Sequence, residues 1–154
     1  MSISLFIHNT LVMGTWAMLF VVMSLLAVAK AERIPLWQPV HAVSHILFGD
    51  KVMHETRFHA RYWISGFVLN AGAMYGWAVV AELGYLWLSL KAGDLITAAL
   101  MAIALTIIAF ITDFHIVPKR FTPGFEKVIS RYALYTVYLC LAIGFVFGGM
   151  YRIT

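Results

Sequence analysis

The chain has 154 residues, 62% of them hydrophobic and only 12% charged, with a formal net charge of +4. Soluble domains carry about 25% charged residues, so this one lacks the polar groups to wet a globular surface, and lipid must serve as solvent for much of it. The Lys and Arg residues lie in connectors between apolar runs, a pattern that fits anionic lipid as a contact and not nucleic acid.

The first apolar run covers residues 5–29. Ala27-Val28-Ala29 looks like a leader cleavage site, yet no Lys or Arg precedes the run, which is too long for a signal h-region. A retained membrane-spanning helix is expected there. Within the following connector, residues 39–48 read as a short helix, with Pro39 in its first turn and Gly49 as its cap. Its stripe of Val40, Val43, Ile46 and Leu47 predicts an interfacial helix lying on the membrane.

A second run, residues 62–90, is broken only by Glu82; a third occupies 95–116, uncharged as far as Thr112. The short Lys91-Ala92-Gly93-Asp94 link between them forces an antiparallel hairpin. In the next connector Pro123-Gly124 signals a turn, and Thr122 is placed to cap the fourth run, 132–151. About 20 helical residues span a hydrocarbon core of roughly 30 Å, and inside it every backbone group must pair within its own segment. The expected fold is therefore all-α: a polytopic membrane protein whose residues 1–154 form one domain, a four-transmembrane-helix bundle with a short interfacial helix in the first loop.

Orientation follows from the basic residues. Lys30, Arg33, Lys51, Arg57, Arg61, Lys119, Arg120, Lys127 and Arg131 flank the two long loops, while only Lys91 and Arg152 lie on the other side. Positive residues stay inside, so both loops are expected in the cytoplasm of a bacterium and both termini in the periplasm, across the inner membrane.

Two kinds of polar residue stand out. His41 and His45 are four apart, which on one helix turns both rings the same way. With His59, Asp113 and His115 at the same membrane face, they are candidate ligands for a transition metal or haem; the plainer reading is amphipathic rings at an interface. Inside the bilayer, Glu82 and Asn70 are the candidate polar groups. They read either as a proton or cation path or as hydrogen-bonding glue between helices. Gly72 with Gly76, and Gly144 with Gly148, repeat the small-xxx-small spacing that lets helices approach closely; the second and fourth spans are expected to cross there, or one of them to dock a partner. Cys140 is the lone cysteine, which leaves no internal disulfide and no cysteine zinc site.

Ser44-His45, Phe48-Gly49-Asp50 and the stretch from Thr112-Asp113-Phe114 through Val117-Pro118-Lys119-Arg120-Phe121-Thr122-Pro123-Gly124-Phe125-Glu126 resemble a group of small uncharacterised proteobacterial inner-membrane proteins. That resemblance implies a bacterial four-helix membrane protein and brings no activity with it. No phosphate-cradling loop, Ser–His–Asp order or Cys pair argues for an enzyme. The leading expectation is an accessory or assembly subunit, either a homo-oligomer or part of a larger membrane complex. The alternatives are a metal- or haem-binding protein and a small oligomeric transporter or channel.

Overall fold

The computed structural model describes residues 2–91 and 93–153; Ala92, in the expected hairpin link, lies outside the described residues. Helix α1 runs over Ile3–Ala31, opened by Ser2, whose hydroxyl accepts from the Leu5 amide at 3.3 Å. After Arg33 takes a left-handed turn (φ 57°), two short helices come next, α2 (Gln38–Val43) and α3 (His45–Phe48). Helix α4 covers Ala60–Trp87 and α5 Leu95–Ile111. Helix α5 starts from Asp94, whose carboxylate accepts from the Thr97 amide at 2.8 Å, and it widens into one π turn over Thr112–Ile116. Helix α6, Arg131–Met150, is capped by Ser130 through the Ala133 amide. The expected cap, Thr122, hydrogen-bonds Glu126 instead at 2.8 Å, because a further short turn, Phe125–Lys127, separates it from α6.

Four helical stretches, Ile3–Ala31, Ala60–Trp87, Leu95–Ile116 and Arg131–Met150, are long and apolar enough to cross a bilayer. They match the expected four runs to within two or three residues at each end. Among the described residues no strand is found.

Helix α1 is the spine. Its inward positions Met13, Ala17, Val21, Leu25 and Val28 recur every three or four residues and are all buried. Against it lies α6, where a Cβ on Gly144 would sit 2.8 Å from the Ala17 Cα and one on Gly148 would sit 2.6 Å from the Met13 Cα. Gly14 of α1 receives the Tyr75 ring of α4. Helix α5 presents Ala98, Ala102, Leu105 and Ala109, a face of mostly methyl groups, to the buried interior. It touches α4 near their shared turn, where the Met101 methyl covers Gly84.

Two expectations are corrected. The glycines of α6 do mark a close crossing, but its partner is α1; among the described residues, no atom beyond the adjacent backbone of α4 itself lies within 4 Å of where a Cβ on Gly72 or Gly76 would stand. The helix expected over 39–48 is split at Ser44, whose hydroxyl donates to the His41 carbonyl at 2.8 Å. Nor does it lie on a surface, for Pro39, Val40, His41, Ala42, Val43, Ser44 and His45 are all buried. Two glycines admit it. A side chain on Gly66 of α4 would overlap the Val40 carbonyl oxygen, and one on Gly124 would lie 2.5 Å from both the Ala42 carbonyl and the His45 ring.

Candidate functional site

The polar groups gather at opposite ends of the bundle. At the end that carries both termini, Glu82 is fully buried and Arg152 is 5% exposed. The guanidinium grips both carboxylate oxygens, Nε to Oε2 at 2.7 Å and Nη2 to Oε1 at 3.2 Å. Asn9 of α1 closes the cluster: its amide nitrogen donates to Glu82 Oε1 at 3.1 Å and to the Ile153 carbonyl at 2.9 Å, while its oxygen accepts from the Ile153 amide at 3.1 Å. The Arg152 guanidinium also lies 4.8 Å over the Tyr85 ring. This cluster staples α1, α4 and the segment after α6. Three of the hydrogen bonds in it are accepted by the Glu82 carboxylate, and Asn70 is not part of it.

Asn70 belongs to the other end. Its amide nitrogen reaches the Met18 sulfur at 3.4 Å, and its carbonyl oxygen has no protein partner among the described residues. It lines a cavity of about 90 Å³ between α4 and α6, together with Asp113 of the π turn and Tyr138 of α6. The Tyr138 hydroxyl donates to Asp113 Oδ2 at 2.6 Å. The remaining walls are apolar: Leu69, Ala73 and Trp77 of α4, Val137 and Leu141 of α6, and the loop residues Phe121, Pro123 and Phe125. A π turn adds one residue to a single turn and so rotates the downstream residues out of the α-helical register; such turns occur often at functional sites.

The histidines are not brought together. His41 is fully buried, stacked on Phe58 at 5.7 Å with Tyr62 edge-on at 6.0 Å, and neither ring nitrogen has a hydrogen-bond partner among the described residues. Burial pushes its imidazole below the ordinary histidine value, and the neighbouring His59 pushes the same way. The His45 Nδ1 turns back onto the Ala42 carbonyl at 2.8 Å. His59 is exposed and lies 3.6 Å from Glu55, and His115 is exposed beside Phe110. Among the described residues no three His, Cys, Asp or Glu side chains converge as ligands for one ion. The break at Ser44 removes the one-face geometry expected of His41 and His45, and each ring has its own surroundings.

No protein-family model, curated protein or solved structure matches the chain.

Asn9, Tyr138 and Arg152 were not singled out by the sequence. For Arg152 a signal existed: it is one of two basic residues on the terminal side, at the height of Glu82, and a buried acid at that depth calls for a cation. Tyr138 carries no comparable signal, since it sits in an apolar run with other aromatics.

Proposed function

We propose that this chain is an integral protein of a bacterial inner membrane and acts as an accessory subunit, docking a helix of a different membrane polypeptide on the outward face of α4. The supporting observation is that Gly72 and Gly76 are exposed, one helical turn apart, with open space where a Cβ would stand. Glycine in a helix interior costs about 1 kcal/mol relative to alanine. Facing lipid it returns nothing, whereas against another helix it allows close backbone approach. The rest of α4 fits: 28% of its most apolar stretch is buried within the chain, against 44% and 50% for α1 and α6. The excess of Lys and Arg in the long loops argues for those loops in the cytoplasm and the termini in the periplasm.

A photoreactive residue at position 76, in the native cell, tests this. It should crosslink a heterologous membrane protein, and that adduct should vanish when Gly72 is replaced by Leu, while the same probe at Leu100 of α5 gives none. Adducts only between copies of this chain, or none at all, would refute the accessory role.

A further inference from the structure

We propose that the cavity between α4 and α6 is a binding site for an amphiphilic amine, whose ammonium head rests on Asp113 and the Asn70 carbonyl oxygen and whose apolar body follows Leu69, Trp77 and Leu141 outward. Each of the two polar side chains offers the cavity an acceptor, and the Asn70 amide, with one N–H on the Met18 sulfur, keeps a second N–H. Asp113 spends one oxygen on the Tyr138 hydroxyl at 2.6 Å, and the Asn70 oxygen has no protein partner among the described residues. A head that donates hydrogen bonds satisfies both acceptors.

Charge narrows the choice. The three ion pairs among the described residues are His59–Glu55, Lys127–Asp50 and Arg152–Glu82. Among those residues, no Lys, Arg or His nitrogen therefore lies within ion-pair distance of Asp113. A partly buried acid at the end of a membrane-spanning helix, with no counter-cation beside it, is costly to keep charged and is a candidate ligand site. A hydroxyl head would satisfy the acceptors, but only a cation also balances the carboxylate. A carboxylate head would be repelled.

Size and placement agree. A volume of about 90 Å³ exceeds the roughly 30 Å³ share of one water and falls short of the ~150 Å³ that holds a benzene ring. It accepts a head group and its first carbons, while the tail leaves past Ala73, which is exposed at the rim. The π turn that carries Asp113 is the second, independent mark of a built site. The exit at Ala73 adjoins Gly72 and Gly76, so a helix docked there would border the site, and binding is therefore tested on this chain alone.

The test is saturable binding of radiolabelled decylamine to the protein in phosphatidylcholine nanodiscs. Unlabelled decanol and decanoate should compete at least tenfold more weakly than decylamine. Asp113→Asn, which keeps an acceptor for Tyr138, should weaken binding at least tenfold. Ala73→Phe, which narrows the rim without touching Asp113, should also abolish it, and circular dichroism melts should show both variants folded. Equal competition by the three heads would reduce the cavity to a nonspecific apolar crevice, preference for decanol would replace the cation with a neutral donor, and undiminished binding by Asp113→Asn would remove the carboxylate from the site; each overturns the proposal.

Discussion

Of the ion pairs among the described residues, only Glu82–Arg152 is buried on both sides. Burying two charges costs most of what their attraction returns, yet removing one partner leaves the other stranded, at about 3–5 kcal/mol. Arg152→Met should accordingly lower the melting temperature in detergent steeply, and adding Glu82→Leu should recover most of the loss. If the double variant melts as low as the single one, the pair is not what joins these segments. Asn9→Ala breaks three hydrogen bonds in the same cluster and should fall between the two. At the opposite end, His41 makes stability depend on pH. Its folded-state pKa is lowered by burial and by His59, with Glu55 and the His59 backbone opposing, so the unfolded chain binds a proton more readily. Stability is then full above the unfolded value, about 6.5, and declines as pH falls below it, by at most about 1.4 kcal/mol per pH unit for one group. Melting curves at pH 7.5 and 5.5 should separate for the wild type, and His41→Phe, which keeps the stack on Phe58, should narrow that separation. An unchanged separation would assign it to the exposed histidines.

At the scale of elements, two glycines of one helix do opposite things. Gly66 faces the Val40 carbonyl, so any Cβ must displace backbone; Gly72 faces open space. Gly66→Ala should destabilise the purified protein by about 1–3 kcal/mol, the usual range for overpacking. Gly72→Ala should be neutral or stabilising by up to about 1 kcal/mol, the difference in helix propensity. Equal losses for the two would mean that α2 is not seated against α4. The contrast also shows what the sequence could convey. The extents of α1, α4, α5 and α6 were legible because the length of an uncharged run is a direct physical constraint in a bilayer. Which face of each helix turns inward was not, since helices apolar all round have no polar side to betray it. Small residues then carry the information, and they are ambiguous: Gly144 and Gly148 meet α1, Gly72 and Gly76 meet no other helix among the described residues, and their spacing is identical. The same ambiguity misread residues 39–48. An apolar stripe fits a membrane surface or a protein interior equally well, and the deciding features, Gly66 and Gly124, lie in distant parts of the chain. Asp113 was legible as a polar group at a helix end, but its partner Tyr138 and the π turn were not, because a turn widened by one residue leaves no compositional trace.

For the whole molecule the decisive quantity is the distribution of charge between its two ends. Nine basic residues border the long loops and two lie at the terminal end. The structure sharpens that imbalance: Arg152 is buried and neutralised by Glu82, which leaves Lys91 as the one exposed Lys or Arg at that end among the described residues. Because free positive charge resists translocation, the loop end should stay in the cytoplasm, and with it Asp113, at the polar end of the cavity, and the buried His41. The lone cysteine makes this measurable, since Cys140 can be replaced by Ser and single cysteines placed elsewhere. In intact spheroplasts a membrane-impermeant maleimide should label a Lys91→Cys protein and spare Lys119→Cys, and in inside-out vesicles the labelling should reverse. The opposite pattern would turn the molecule over and place Asp113 on the periplasmic side. Labelling of both positions from both sides would mean that the four long helices do not cross the bilayer at all, and the exposed apolar faces of α4 and α5 would then need a protein partner, not lipid, to cover them.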